Sequence, residues 1–310
     1  MKTCVFVTGA SGFLGRHVAR ELTARGKRVV GLGRAAMASF ADWGLDSYVR
    51  CPVELATLET AAESHGVPEA LFHCAGSGSV SASIESPHED FQNNALTTAA
   101  VLEFSRRHNN AVAVILPSSA AVYGNQTEQP LREDMPPAPF SPYGVHKKLS
   151  EDLAGMYGRC FAVPSVCIRF FSLYGPTLRK QLLWDACRKA TAGDHVFFGT
   201  GRELRDWLHV MDAARLMYMA LEHASPSVPI VNGASGHPLS VQAVLRTLGS
   251  CFTPPWQPVF SLAERAGDPA HLTADITLSS AWGFCPAISV EQGLHEYASW
   301  FRALPRPEVF

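Results

Sequence analysis

Ser119, Tyr143 and Lys147 have the residue types and the spacing to carry out proton transfer. Ser119 ends a strand-like apolar run, and Ser141-Pro142 marks a helix start that would place Tyr143 and Lys147 one turn apart on one helical face. A phenol with its ordinary pKa of about 10 is a poor base at neutral pH, but a cation one turn away favours the phenolate. Ser119 could hydrogen-bond the substrate oxygen and share its proton. Tyr-x-x-x-Lys occurs by chance in many helices, so its position after a Ser-ended strand is what favours a catalytic role.

A glycine-rich motif, Thr8-Gly9-Ala10-Ser11-Gly12-Phe13-Leu14-Gly15, follows the first apolar run and opens the first helical pattern. Glycines there permit a tight turn and let backbone N–H groups approach a pyrophosphate at the positive end of a helix. The strand before it and the helix after it favour this interpretation over a plain turn. The predicted cofactor ligands in the motif are Gly9, Ser11, Gly12, Phe13, Leu14 and Gly15.

The end of the second predicted strand bears on the choice between NAD and NADP. An acidic residue there binds the ribose 2′-hydroxyl of NAD, but this sequence reads Gly31-Leu32-Gly33-Arg34, without a carboxylate. Arg34 could pair with the 2′-phosphate of NADP, or it could be a solvated arginine on a loop. The cofactor is therefore expected to be NAD or NADP, with a slight preference for NADP from Gly33 and Arg34.

The elements that must position these residues alternate along the first half of the chain. Short apolar, β-branched runs predict strands at 3–8, 28–33, 47–51, 69–74, 111–117 and 164–170. Amphipathic patterns predict helices at 13–25, 55–64, 87–108 and 143–158. Apolar strands alternating with helices indicate a parallel sheet covered on both faces, which is a doubly wound α/β domain.

The pattern loosens after about residue 171, where helices are predicted at 180–192, 211–223, 240–249 and 290–303. We expect residues 1–170 to form the dinucleotide-binding domain. Residues 171–310 would mainly form a smaller, mixed substrate-binding lobe over the carboxyl ends of the strands, with some segments returning to the first domain.

Composition narrows the classes of function. The net charge of −2 and the scattered Lys and Arg residues favour no nucleic-acid partner. The apolar stretch at the N-terminus is too short for a signal peptide, and no run is long enough to span a bilayer. Eight cysteines without a Cys-x-x-Cys pair are expected to be reduced thiols in a cytoplasmic protein, and twelve histidines without a ligand spacing predict no metal site.

Taken together, these motifs resemble the extended short-chain dehydrogenases/reductases, in particular the NAD-dependent epimerase/dehydratase family and its UDP-sugar 4-epimerases. The likeness covers nearly the whole chain, and further segments that carry it are 71–76, 93–98, 116–124, 168–176, 201–212 and 265–269. The resemblance implies a Rossmann-type sheet and a nucleotide-activated sugar as substrate. The further cofactor ligands that the resemblance implies are Cys74, Ala75, Gly76, Asn94, Ser118, Tyr143 and Lys147. The substrate ligands that it implies are Ser119, Tyr143, Ser172, Arg205 and Arg265.

Departures from the family pattern guide the choice of reaction. Pro52 stands where the family often has an Asp that contacts adenine, and Ser172 stands where Asn is frequent. Sugar 4,6-dehydratases of the family carry an Asp-Glu pair after the catalytic hydroxyl residue, whereas this chain has Ala120 and Ala121, which cannot act as acid or base. Dehydration is therefore disfavoured.

A nucleotide-sugar epimerase is the reaction we expect. A nucleotide-keto-sugar reductase that consumes NADPH is an alternative, followed by dehydratase or decarboxylase variants. A cofactor-sensing binding protein on the same fold is the alternative outside catalysis, and the complete Ser119, Tyr143 and Lys147 set argues against it. Arg205 with Asp206 could also be a surface ion pair, and Arg265 a loop charge. The resemblance further implies a homodimer formed through the helices near 87–108 and 143–158.

Overall fold

The computed structural model describes residues 2–36, 39–263 and 271–305. Its first half forms a parallel sheet of six strands in the order β6-β5-β4-β1-β2-β3. The strands are β1 (Cys4–Thr8), β2 (Arg28–Gly33), β3 (Ser47–Arg50), β4 (Ala70–His73), β5 (Ala113–Ser119) and β6 (Ser165–Phe170). The strand order reverses between β1 and β4, and open α/β sheets bind their ligands at such a switch point.

The helices between these strands begin where the sequence supplies a helix start. Ser141 caps the longest of them by accepting a hydrogen bond from the N–H of Gly144, and Pro142 occupies its first position. The helices are α1 (Phe13–Ala24), α2 (Leu55–His65), α3 (Val80–Glu85), α4 (Pro87–Phe91), α5 (Thr97–Arg107) and α6 (Pro142–Phe161).

The helix predicted at 87–108 is interrupted, and a helix before it was not predicted. A π-helical turn at Gln92–Leu96 separates α4 from α5. Amphipathic periodicity gives no sign of such a turn, because it widens the hydrogen-bonding pattern without ending the helix. Helix α3 is too short for its periodicity to be recognised, and its Ser79 cap is its clearest sequence signal.

The second half of the chain builds the smaller lobe and also returns to the large sheet. Strand β10 (Ile230–Gly233) pairs in parallel with β6 and makes the sheet seven-stranded. The other strands are β7 (Ser172–Tyr174), β8 (Val196–Phe197), β9 (Leu204–His209), β11 (Pro238–Ser240), β12 (Val259–Phe260) and β13 (His271–Leu272). The helices are α7 (Gln181–Thr191), α8 (Val210–Ala220), α9 (Val241–Ser250), α10 (Thr277–Ala281) and α11 (Val290–Arg302). Assigning residues 171–310 mainly to a separate lobe stays a prediction.

Apolar side chains cover both faces of the large sheet. On one face α1 and α8 pack against the sheet, with Val18 and Met217 fully buried. On the other face α2, α5 and α6 pack against the sheet, with Leu58 and Leu102 fully buried. A separate core holds the smaller lobe together, and it includes Tyr297, which donates to the carbonyl of Leu178 at 2.7 Å. The strand ends are thereby fixed as a rigid edge for the site.

No helix in the described part of the chain is both long and apolar enough to cross a membrane. All eight cysteines are free thiols in this structure. A cytoplasmic location stays a prediction.

Candidate active site

A cleft of about 1580 Å³ lies along the carboxyl ends of the parallel strands and beneath the smaller lobe. Gly12, Ser119 and Tyr143 form walls on the sheet side, while Ser172 and Arg205 come from the smaller lobe. Pockets for one small ligand are typically about 300–1,000 Å³. The cleft is therefore large enough for a dinucleotide and a second ligand.

The glycine motif lies directly against the loop that follows β4. Gly9 has a φ of 65°, and a Cβ there would lie 2.5 Å from the backbone nitrogen of Ala75. A Cβ on Gly15 would lie 2.3 Å from the carbonyl oxygen of Gly9. The N–H of Gly12 donates to the same oxygen at 2.8 Å. Only residues without a side chain permit this approach. The loop thus fits the cradle for a dinucleotide pyrophosphate at the start of α1.

The predicted cofactor residues occupy different parts of this cradle. Gly12, Phe13 and Leu14 line the cleft, as do Cys74, Ala75 and Gly76 from the β4 side. Burial raises the pKa of the Cys74 thiol to about 12, so it is a neutral wall and not a nucleophile. Gly9 and Gly15 shape the turn from behind, and the carbonyl of Ser11 accepts a hydrogen bond from Arg16.

Asn94 supports the cradle from behind and does not line the cleft. Its side-chain nitrogen donates to Asp90 Oδ1 at 3.1 Å and to Ser77 Oγ at 3.3 Å. Its buried Oδ1 atom faces Gly76, where a Cβ would lie 2.8 Å away. Asn94 therefore positions the loop at residues 76–77, and direct contact with a cofactor stays a prediction.

Ser119, Tyr143 and Lys147 meet at one wall of the cleft, as expected. Ser119 caps a 3₁₀ turn at Ala120–Val122, with its Oγ accepting from the N–H of Ala121 at 3.2 Å. The start of α6 rests on that turn because Gly144 has no side chain: a Cβ there would lie 2.6 Å from the carbonyl oxygen of Ala121. This close contact places Tyr143 on the same wall of the cleft as Ser119.

Helical spacing predicts that Lys147 favours the Tyr143 phenolate, whereas the groups around Tyr143 raise its pKa on balance. Removal from water raises the pKa of Tyr143, the nearby Ser119 hydroxyl lowers it, and the charge of Asp90 raises it. The Lys147 ammonium group lies 5.9 Å from the centre of the Tyr143 ring and donates instead to the carbonyl of Pro117 at 3.0 Å. Burial lowers the pKa of Lys147 to about 8, and Asp90 opposes that change. The surrounding protein therefore favours the neutral phenol, and a cation brought beside Tyr143 would favour the phenolate that a base requires.

Sequence reasoning missed a buried polar group behind Tyr143. Asp90 is buried and accepts from Ser77, from Asn94 and from His146, whose Nδ1 lies 2.7 Å from Asp90 Oδ2. His146 occupies the turn of α6 between Tyr143 and Lys147, so this pair ties the catalytic helix to α4. His146 was visible in the quoted Tyr-x-x-x-Lys segment, but its partner comes from a distant part of the chain.

A second buried group lies beneath Ser119. Glu151 accepts from Ser118 Oγ at 2.6 Å and from Arg169 Nη2 at 2.8 Å. The Arg169 guanidinium lies over the ring of Tyr123, 4.6 Å from its centre, and Tyr123 donates to Asn232 Oδ1 at 2.7 Å. Ser118, a predicted cofactor ligand, lines the cleft and is held from below by this network. The network joins α6, β5, β6 and β10 at the point where the catalytic serine leaves the sheet.

The predicted substrate ligands lie across the cleft from the glycine motif. Ser172 on β7 and Arg205 on β9 both line it. Asp206 is fully buried and accepts from the N–H of Ser235 at 2.6 Å and of Gly236 at 2.9 Å. A surface ion pair of Arg205 with Asp206 is thereby excluded. Arg265 lies outside the described residues, and its role stays a prediction.

Arg34 is exposed at the carboxyl end of β2, where a second arginine accompanies it. Arg50 of β3 stands opposite Gly33 in the sheet, and its Nε donates to the carbonyl of Arg34 at 3.0 Å. Gly33 leaves room for the Tyr48 side chain, because a Cβ on Gly33 would lie only 2.8 Å from the Tyr48 hydroxyl oxygen. Sequence reasoning missed Arg50, because only the pairing of β2 with β3 brings it to this corner.

A search of the described residues finds no group of three or more His, Cys, Asp or Glu side chains that could hold a metal ion.

Comparison with known proteins agrees with this geometry. The model of the NAD dependent epimerase/dehydratase family matches residues 5–232. A putative UDP-glucose 4-epimerase of Methanocaldococcus jannaschii is 25% identical over 306 residues, which cover 96% of this chain and 98% of that protein. The crystal structure of UDP-glucose 4-epimerase from Thermotoga maritima with UDP-glucose has a TM-score of 0.88 and 25% identity, covering 97% of this chain and 99% of that one.

The same fold also carries a different reaction. The structure of TunA, an NAD-dependent NDP-hexosamine 5,6-dehydratase of tunicamycin biosynthesis, has a TM-score of 0.85 and 26% identity, covering 98% of this chain and 99% of that one. The family model spans well over half of the chain, from β1 to β10. The chain therefore belongs to the NAD dependent epimerase/dehydratase family.

Proposed function

We propose that the chain is an NAD(P)-dependent nucleotide-sugar 4-epimerase. One observation carries the proposal: Ser119, Tyr143 and Lys147 share a wall of a cleft that runs from the glycine motif to Arg205. The glycine motif suits a dinucleotide, and Arg205 suits the diphosphate of an activated sugar because a guanidinium group pairs with phosphate through two hydrogen bonds. The names of the relatives point to UDP as the nucleotide.

The chain's own residues supply the acid–base half of the reaction. Tyr143 takes the proton of the sugar hydroxyl while the hydrogen on the same carbon leaves as hydride, and the C–O bond becomes a carbonyl. A bound nicotinamide dinucleotide supplies the redox chemistry, as acceptor and then donor of that hydride. When the keto sugar has turned over and its other face is reduced, Tyr143 would return the proton to the oxygen. Ser119 holds that oxygen throughout.

The walls near Tyr143 lack the groups that dehydration needs. Ala120 and Ala121 line the cleft beside Ser119 and can neither donate nor accept a proton. Among the described residues of the cleft wall, the carboxylates are Asp185 and Glu203, and Glu203 accepts from the Thr200 N–H at 2.8 Å. Because TunA shows that the fold also supports a dehydratase, the site and not the fold supports the choice of epimerase.

Mass spectrometry of a panel of UDP-, GDP-, CDP- and dTDP-sugars, including 4-keto forms, tests the proposal. Each sugar is incubated with the purified protein and either NAD or NADP. We expect a product of unchanged mass and new retention from at least one UDP-hexose. A gain of two hydrogens with consumption of NADPH would replace the epimerase by a reductase, and loss of water would replace it by a dehydratase. No change across the panel would refute the assignment to nucleotide sugars.

For the cofactor, we propose that the chain prefers NADP. The Arg50 guanidinium donates to the backbone carbonyl of Arg34 at the corner where the adenosine ribose of a dinucleotide lies in this fold, and β2 ends without a carboxylate. We expect Arg34→Ala to weaken NADP binding by about 10- to 100-fold, the worth of a hydrogen bond to a charged group. Titration calorimetry with both dinucleotides measures this, and NAD is the control within the same variant. Equal losses for NAD and NADP would contradict the preference.

For the assembly, we propose a homodimer through α4, α5 and α6. Leu96, Val145 and Leu149 are 55%, 46% and 36% exposed, on elements that pack side by side. A two-fold axis would pair this apolar face with its copy as a four-helix bundle. We expect Leu149→Arg to convert dimer to monomer in light scattering, whereas Leu278→Arg, at an equally exposed leucine on α10, should not. A monomeric wild-type protein would contradict the proposal.

A further inference from the structure

The segment that leads from β7 into the first residue of α7 crosses from the smaller lobe to the cofactor cradle. We refer to residues 176–181 as the strap. His17 of α1 lies beneath it, with Nε2 3.3 Å from the carbonyl oxygen of Pro176 and 3.4 Å from Thr177 Oγ1. At the other end Gln181 donates to the carbonyl of Gly78, on the β4 side, at 3.3 Å. The strap therefore joins both walls of the cradle.

The backbone of the strap is strained at both ends. Thr177 has a φ of 78° and Gln181 a φ of 66°, a region that non-glycine residues, and β-branched ones above all, rarely adopt. Such conformations persist only where the surrounding structure holds them, and they cluster at ligand clamps and active sites. Arg179 and Lys180 lie between these two strained residues, and both line the cleft.

Lys180 presents its ammonium group to the cradle. The Nζ atom lies 3.6 Å from the point that a Cβ on Gly78 would occupy, and Lys180 lines the cleft together with Gly12 and Phe13. Within the described residues, no carboxylate lies within 4.0 Å of this ammonium group. Although the residue is exposed at the cleft mouth, the surrounding protein lowers its pKa by removing water. A cation in such a place is stabilised by an anionic ligand.

Other positive groups gather at the same point. Arg16 holds the glycine motif by donating to the carbonyl of Gly12 at 3.2 Å and to that of Ser11. Burial lowers the pKa of Arg16, and the nearby charge of Arg179 lowers it further. The positive end of α1 adds to this field. An anion between α1 and the strap would relieve the repulsion, and a pyrophosphate carries two negative charges.

We propose that Lys180 binds the pyrophosphate of the dinucleotide, so that the strap of the smaller lobe closes the cradle opposite the start of α1. The inference rests on the proposed function, since it requires a nicotinamide dinucleotide in the cradle. A sugar-nucleotide diphosphate is the competing ligand for Lys180. The position beside Gly78, on the segment that follows β4, favours the cofactor, because Arg205 on β9 lies with the other sheet.

Binding measurements on Lys180→Met test the assignment. Titration calorimetry would use NAD, NADP, ADP-ribose and UDP. We expect about a 10- to 100-fold rise in Kd for the three ligands that contain the cofactor pyrophosphate, the worth of a charge-assisted hydrogen bond, and less than a threefold change for UDP. Lys180→Arg should retain most of the affinity.

Lys189→Met is the matched control. Lys189 also lines the cleft, but Asp194 lies 3.3 Å from its Nζ, which donates to the carbonyl of Val196. We expect that variant to bind the dinucleotides like the wild type. Unchanged dinucleotide affinity in Lys180→Met, or a loss confined to UDP, would overturn the inference while leaving the proposed function in place. Failure of the wild-type chain to bind any dinucleotide would overturn both.

Discussion

Tyr143→Phe should lower kcat by about 100- to 10,000-fold, the usual contribution of a positioned acid–base group. The phenol is the group that both removes and returns the proton of the sugar hydroxyl, and Tyr143 lies on the cleft wall with Ser119. Phenylalanine keeps the ring and the packing but has no proton to exchange. The rate of product formation with the sugar identified by the panel measures the effect.

A second Tyr→Phe change on the same helix is the control for Tyr143→Phe. Tyr157 donates to Glu103 Oε2 at 3.3 Å and lies outside the cleft wall, so Tyr157→Phe should keep kcat within about threefold. Dinucleotide affinity should be close to that of the wild type in both variants. A Tyr143→Phe enzyme with nearly full activity would refute Tyr143 as the base. It would also reopen the possibility of a binding protein that senses its cofactor.

Glu151→Gln should destabilise the fold by about 3–5 kcal/mol, as expected when one partner of a buried ion pair is removed. Arg169 and Glu151 have side chains that are only 2% and 3% exposed, and two nitrogens of the guanidinium group donate to the carboxylate, at 3.0 and 2.8 Å. Glutamine keeps the shape but leaves the Arg169 charge buried without its counter-ion. Urea unfolding, with the free energy extrapolated to water, measures the loss.

The next residue along α6 provides a matched control for Glu151→Gln. Asp152 pairs with Lys148 at the surface, and its side chain is 60% exposed. An exposed pair contributes about 0–1 kcal/mol, so Asp152→Asn should be nearly neutral. Adding Arg169→Met to Glu151→Gln should recover part of the stability, because the buried charge is then gone. Equal losses in Glu151→Gln and Asp152→Asn would show that the buried pair does not stabilise the fold.

The features that sequence predicted well are those encoded by neighbouring residues. The glycine motif is contiguous, and the sequence shows a strand before it and a helix after it. Its place at the cofactor cradle was therefore predictable, and the structure packs it against the β4 loop. Ser119 and Tyr143 are 24 residues apart, yet one ends a strand and the other begins a helix. Because both ends face the same edge of the sheet, their meeting was predictable.

The features that sequence missed depend on contacts between distant segments. In the sequence Glu151 and Arg169 look like ordinary charged residues, and only the packing of α6 on β6 pairs them. Arg50 comes close to the Arg34 backbone only because β2 pairs with β3. The pKa of Tyr143 was misjudged for a related reason. Helical spacing placed Lys147 near the ring, but the backbone carbonyl that holds its ammonium group away comes from β5.

The return of β10 to the large sheet bears on how the molecule folds and unfolds. A fragment that stopped at residue 170 would leave β6, a strand of fully buried residues, as an open edge and would lose the Asn232 partner of Tyr123. The cofactor-binding sheet is therefore completed only after β7, β8 and β9 of the second half have been synthesised. Because the two halves share this sheet, we expect them to unfold together, so that neither would serve as a detachable module for recombination with another protein.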